Sequence, residues 1–385
     1  MQASGQLTRA YQVCVRCIMD TSDPEIVFDD AGACNHCTRA AALLETRLPA
    51  FKTGEYQLDR IASVMRKSGR GHDYDCIVGV SGGVDSTYVA YLCKRIGLRP
   101  LAVHFDNGWN SELAVRNIES TLRRMDIQLY THVVDWEHFR DLQLSFLRAS
   151  VPDAEVPTDH AIWALLYQTA VKFGIRYVLP GTNLATESIL PKRWTYGITD
   201  WKYIRAIHDR FGRLPLKTYP HLRLSQFGWY VLGRRIKTIS ILNSVDYDKQ
   251  AVMQELQREI GWQDYGGKHH ESVYTRFFQS YILPRKFGID KRRAHLSSLI
   301  VSAQISRDDA LAQLKLPIAD AELVRQDLEY VAKKLEMTVA DFEAMMAEPV
   351  RSYRDYPNDD ELIETLKRSV RYAQSKRLMA RQVGM

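Results

Sequence analysis

Three groups of residues have the types and spacing to do chemistry. In Ser81-Gly82-Gly83-Val84-Asp85-Ser86, two glycines stand among hydroxyls and a carboxylate. Lacking side chains, Gly82 and Gly83 let backbone N–H groups close on an anion, and a helix beginning there adds partial positive charge. The stretch therefore suits phosphate. It is not a Walker A loop, because no Lys follows the glycines, and it lacks the three-glycine dinucleotide fingerprint. Cys14-x2-Cys17 and Cys34-x2-Cys37 form the second group, separated by 16 residues. Two such knuckles offer four thiolates at the corners of a tetrahedron, the spacing of a structural zinc site with no open position. His36 is the alternative ligand. The third group is 261–271, where glycines adjoin Lys268, His269, His270 and Glu271. It reads as a turn that binds an acceptor, with a charged surface loop as the competing reading.

Positioning these groups takes alternating strands and helices. Residues 76–80 are a short β-branched run that predicts a buried strand, and 87–96 reads as the helix after the loop. Further strands are expected at 101–105, 129–134 and 176–180, with helices over 112–125 and 157–172. That order predicts an α/β fold with a parallel sheet, whose ligands gather at the carboxyl ends of the strands. The Ser81–Ser86 order resembles the PP-loop of enzymes that cleave ATP to AMP and pyrophosphate, and by that resemblance the loop should hold pyrophosphate through Ser81, Gly82, Gly83, Asp85, Ser86 and Thr87. Phe105 and Asp106 should meet the adenosine, although Asp106 reads equally as a cap on its strand end. Val134-Asp135 marks another strand end, and Gly181-Thr182-Asn183 should approach the α-phosphate and acceptor. Asp85 is the expected Mg²⁺ contact, since hard cations prefer carboxylate oxygen. Trp194, Tyr196 and Trp201, with Arg234, Arg235 and Lys237, read as a nucleotide-diphosphate contact or a solvated face. From Ser306 on the pattern is helical, with capping signals at Ser306 and Thr338 and a periodic run of Leu362, Ile363, Leu366 and Val370. The expected division is a zinc ribbon over 1–50, an α/β domain over 51–300 with its acceptor segment at 261–300, and a helical region over 301–385.

Composition agrees with a globular enzyme. Of the 385 residues, 45% are hydrophobic and 25% charged, which excludes disordered and fibrous classes. No apolar run approaches the roughly 18 residues that cross a bilayer. The first dozen residues carry no apolar signal core, so a cytoplasmic location and no membrane partner are expected. A net charge of +6 suits anionic substrates such as nucleotides without arguing for nucleic acid. Six cysteines in a reducing compartment suggest metal before disulfides, and Cys76 and Cys93 read as core.

The Ser-Gly-Gly-x-Asp-Ser order resembles the PP-loop of the ATP pyrophosphatases, an adenine nucleotide alpha hydrolase-like fold that splits ATP into AMP and pyrophosphate. CVRCIMDTSDPEIVFDDAGACNHC, SGGVDSTY, GGKHHESVYTRFFQSYILPRKFGIDKRRAHLSSLI and QISRDDAL together resemble the N-acetyl sugar amidotransferases of bacterial surface-polysaccharide biosynthesis. The likeness runs from about residue 11 to about residue 355. It implies conversion of an acetamido group on a nucleotide-activated sugar into an acetamidino group, for lipopolysaccharide O-antigen or flagellin sugars. It also implies ATP and Mg²⁺ beside the structural zinc, and ammonia from a separate glutaminase with a cyclase-like subunit. This chain shows no glutaminase domain, which fits that division of labour. Within the resemblance, Asp85 serves phosphate and metal, Lys268 offsets charge at the α-phosphate, and Glu271 or His269 handles the ammonia proton. A PP-loop tRNA-thiolating enzyme is the alternative, disfavoured because no cysteine lies in the acceptor half.

Overall fold

The computed structural model describes residues 10–383 apart from 55 and 267–270, with side chains through 370 and at 372. Two helices, α1 (Asn35–Lys52) and α2 (Leu58–Ser68), precede the first strand. There follow β1 (Cys76–Gly79), α3 (Val84–Arg95), β2 (Pro100–Asp106), α4 (Glu112–Arg124) and β3 (Gln128–Val133). Next come α5 (Trp136–Ala149), α6 (Val156–Lys172), β4 (Tyr177–Leu179), α7 (Leu184–Glu187), α8 (Trp201–Phe211) and β5 (Lys237–Thr238). The sheet is parallel throughout, in the order β3-β2-β1-β4-β5.

Strand order reverses between β1 and β4, so the loops after these two strands open into one crevice. Parallel α/β sheets bind ligands at such a switch point. The strands alternate between two buried cores. Ile77, Leu101, Val103, Phe105 and Val178 face one, with α5, α6 and α8. Cys76, Val78, Ala102, Tyr177 and Leu179 face the other, with α3, α4 and the helix Lys249–Ile260. Burial on both faces is why these strands read as continuous apolar runs. The first core continues into the Cys knuckles and into Val331, Phe342, Tyr353 and Tyr356 of the C-terminal helices.

The structure corrects two expectations. Helix α3 begins at Val84, not at residue 87, because Gly83 is already its N-cap; Asp85, Ser86 and Thr87 therefore belong to its first turn. Helix α5 fills the interval that the sequence reading left between the third strand and Pro157. Asp135 caps it, and Phe139, Leu142, Phe146 and Leu147 bury its inner face. At the C-terminus, the helix Asp360–Val383 points Leu362, Leu366 and Val370 toward solvent.

Candidate functional site

The loop after β1 is shaped by three close approaches. Gly82 has φ +81°, and a Cβ there would come within 2.6 Å of the Ala114 carbonyl oxygen of α4. Its own carbonyl accepts from the buried Trp262 indole at 3.0 Å. At the next position, a Cβ on Gly83 would lie 3.1 Å from Ser81 Oγ, 3.3 Å from Tyr265 Oη and 3.5 Å from Glu271 Oε1. On the β4 side, a Cβ on Gly181 would press to 3.0 Å from the Ser86 nitrogen. Four chain segments thus converge on one cradle.

Hydroxyls occupy the polar groups of this cradle. Ser81 N–H donates to Ser86 Oγ at 3.2 Å, Gly83 N–H to Ser81 Oγ at 3.3 Å, and Val84 N–H to Tyr265 Oη at 3.2 Å. The Tyr247 hydroxyl donates to the Asp85 carboxylate. Both tyrosine pKa values are pushed well up, chiefly by burial. The charges of Asp85 and Glu187 add to this at Tyr247, and that of Glu271 at Tyr265. Asp85 and Glu271 therefore stand at the positive end of α3, and the charge of Glu187 reaches Tyr247 beside them. Amides that take anionic oxygen, beside carboxylates that take a hard cation, form a donor set suited to Mg-nucleotide. Tyr247 also lines a cavity of about 410 Å³ with Leu44, Leu48, Ala185, Asn243 and Gln304 among others.

The other expected residues fall as follows. Thr87 is buried within α3. Phe105 stacks on His132 and meets Phe139 edge-on. Asp106 Oδ1 accepts from Gly108 N–H at 2.9 Å and Asn110 Nδ2 at 3.2 Å, as a strand-end cap does. Thr182 Oγ1 lies 2.9 Å from Ser240 Oγ. Glu271 reaches the loop because its carbonyl accepts from Ser111 N–H at 2.8 Å, while Val273 N–H donates to the Trp109 carbonyl at 2.9 Å. Lys268, His269 and His270 lie outside the described residues.

A second polar group adjoins the β2 end, where Asn107 Nδ2 donates to Thr158 Oγ1 at 3.0 Å. Asp153, Glu155 and Asp159 gather at the start of α6, with Lys291 3.9 Å from Glu155. Burial raises the Asp153 pKa to about 7 and pushes Asp159 well up. Among the described residues, nothing hydrogen-bonds the Asp159 carboxylate. The buried Tyr274 hydroxyl likewise has no hydrogen-bond partner there, although Gln143 lies nearby. The charges of Glu155 and Asp153 reach it. Tyr247, Tyr265 and Glu187, and this acidic recess, were not assigned roles in the sequence reading. Tyrosine is a common core residue, and only the fold brings these to the loop.

The four knuckle cysteines are fully buried, and their sulfurs lie within 4.8 Å of one another. Cys14–Cys37 and Cys17–Cys34 are 3.7 and 3.6 Å apart, close to the roughly 3.8 Å edge of a zinc–thiolate tetrahedron. The backbone N–H groups of Cys17 and Cys37 donate to Cys14 and Cys34 Sγ, each at 3.4 Å, which favours thiolate. The donor set fits zinc. His36 turns away to the buried Asp23, with Nε2 2.6 Å from Oδ2. Arg307 ties the knuckles to the C-terminal helices through the Cys14 and Cys17 carbonyls, each at 3.0 Å.

Residues 271–370 match the family model described as the C-terminal domain of WbpG-like LPS biosynthesis proteins. Over these residues, about a quarter of its length, the chain is similar to that family. The matched stretch begins at Glu271, the residue that stands against Gly83. No curated protein matches the chain. Among solved structures, the NH3-dependent NAD synthetase of Campylobacter jejuni is 15% identical over 76% of this chain and 97% of that one, with a TM-score of 0.33. The NMN synthetase of Francisella tularensis is 15% identical over 54% and 87%, with a TM-score of 0.28. A predicted subunit of tRNA methyltransferase from Methanocaldococcus jannaschii is 14% identical over 47% and 74%, also with a TM-score of 0.28.

Proposed function

We propose that this chain is an ATP-dependent amidotransferase of lipopolysaccharide biosynthesis, which converts an acetamido group on a nucleotide-activated sugar into an acetamidino group. The observation that carries the reading is the approach of Glu271, where the WbpG-like region starts, to Gly83 of the phosphate loop. Nucleotide cleavage and acceptor chemistry then share one crevice.

An amide carbon resists ammonia because oxide would have to leave. In the proposed route the amide oxygen attacks the α-phosphorus, the bond to the β,γ-pyrophosphate breaks, and the amide nitrogen loses its proton. Ammonia then adds to the O-adenylyl imidate carbon, and AMP departs with the original amide oxygen. The Ser81, Gly83 and Val84 amides and the positive end of α3 receive the pyrophosphate oxygens as the hydroxyls give way. Asp85 and Glu187 would hold Mg²⁺, which supplies charge neutralisation to the phosphates. Glu271 would take the ammonia proton, and Lys268 and His269 flank that position in sequence. The acidic recess of Asp159, Glu155 and Tyr274 suits hydroxyl and amide N–H donors of a sugar. Ammonia must arrive unprotonated, so a partner that supplies it through a dry path is expected. The thiolation alternative finds no support in the cysteines: Cys76 and Cys93 are fully buried, and Cys76 is pushed well up by its contact with Cys93.

The test is to incubate the protein with Mg-ATP, ammonium and a UDP-linked diacetamido sugar. Repeated turnover to AMP should require all of them, while ATP and the sugar alone give at most one equivalent of pyrophosphate per enzyme. AMP formed with tRNA and not with the sugar overturns the proposal.

A further inference from the structure

From Arg210 to Val245 the chain contains no Asp or Glu, yet it carries Arg210, Arg213, Lys217, Arg223, Arg234, Arg235 and Lys237. All seven are exposed, and among the described residues none pairs with a carboxylate. These seven cations exceed the net charge of the whole chain, +6. Within it lies a ten-residue helical stretch, Leu224–Gly228 continued by Trp229–Gly233. Its inner side is fixed by aromatic packing: Phe227 meets the Tyr167 ring of α6 edge-on, and Tyr230 stacks on the same ring. Trp229 and Leu232 sit on the other side at i,i+3 spacing, 62% and 80% exposed. Arg223 precedes the helix, and Arg234, Arg235 and Lys237 follow it.

We propose that this helix docks the enzyme onto an anionic lipid surface, with Trp229 and Leu232 entering the headgroup layer and the flanking arginines and lysine meeting lipid phosphates. The inference stands apart from the proposed reaction. Three observations choose a membrane over other polyanions. The exposed apolar groups are only two neighbours, Trp229 and Leu232, a small apolar tip flanked by positive charge, as on helices that lie in the headgroup layer. One of them is a Trp, whose amphipathic ring suits the interface. The charge is of one sign across 36 consecutive residues, which suits a continuous anionic surface better than a patterned one. No helix among the described residues is long and apolar enough to cross a membrane, so the contact lies along the surface. This departs from the expectation of no membrane partner.

The full-length protein should co-sediment with vesicles containing phosphatidylglycerol and stay in the supernatant with phosphatidylcholine alone, with binding falling as salt rises. Trp229→Ala with Leu232→Ala, and separately Arg234→Glu with Arg235→Glu, should each lower binding by at least about tenfold while circular dichroism and melting temperature stay unchanged. Equal binding to both vesicle types, or binding that neither pair of changes affects, overturns the proposal. So does Trp229-dependent association of the chain with itself in the absence of lipid, or tighter binding to RNA than to the anionic vesicles.

Discussion

Tyr265 Oη accepts the Val84 N–H at 3.2 Å, which places a neutral hydroxyl at the helix amide nearest the phosphate cradle. With the Tyr247 hydroxyl on Asp85, it leaves both halves of the proposed Mg-nucleotide site occupied by side-chain oxygen.

The first prediction follows from that contact. Nucleotide must displace a hydrogen bond worth about 1 kcal/mol, so Tyr265→Phe should tighten ATP binding by about fivefold. Titration calorimetry with ATP checks this. Weaker binding would mean that the hydroxyl helps to hold nucleotide.

The two loop glycines should fail differently. Gly82→Ala meets both a positive φ and the Ala114 carbonyl oxygen at 2.6 Å, so it should lower stability by about 1–3 kcal/mol. Gly83 has φ −70°, and its added methyl would meet only Ser81 Oγ, Tyr265 Oη and Glu271 Oε1. Gly83→Ala should melt near the wild-type temperature and yet lose pyrophosphate release. Denaturant melts run beside a pyrophosphate assay separate the two, and equal effects of both changes would contradict the geometry.

A pH dependence resides in Asp153. Its carboxyl is raised by burial to about 7 when folded, against an ordinary 3.8. Below the lower value both states hold the proton. Between the two values only the unfolded chain releases it, so stability falls as pH rises and levels off above about 7. Asp153→Asn should flatten that fall, as read from melting temperatures across this window. An unchanged slope would show that Asp153 titrates normally.

The zinc knuckles make a stability prediction. Cys14→Ser should lower bound zinc and melting temperature together, because the sulfurs lie in the same core as the sheet and the C-terminal helices. Full metal content in the variant would exclude a four-cysteine site.

How far the sequence could be read follows from how local each signal is. The C-x2-C pairs and the Ser81–Ser86 stretch declare themselves within a few residues. Continuous apolar runs such as Cys76–Gly79 and Pro100–Asp106 follow from burial on both faces. Helix α5 is hard to read from sequence because Leu142, Gln143, Leu144 and Ser145 are all buried, which blurs the period of its apolar positions. Tyr247, Trp262 and Tyr265 reach the loop from about 160 to 180 residues away in sequence, through contacts that no local pattern records. The approach of Glu271 to Gly83 depends on pairing between Asn110 and Ser272, again non-local.

The most direct measurement follows the amide oxygen. A UDP-linked sugar whose acetamido groups carry heavy oxygen is incubated with the enzyme, Mg-ATP and ammonium, and AMP is collected for mass spectrometry. The proposed route places the label in AMP, and Asp85→Asn should abolish its appearance without unfolding the protein. Label retained in the sugar while AMP forms would contradict O-adenylylation and, with it, the amide-to-amidine exchange.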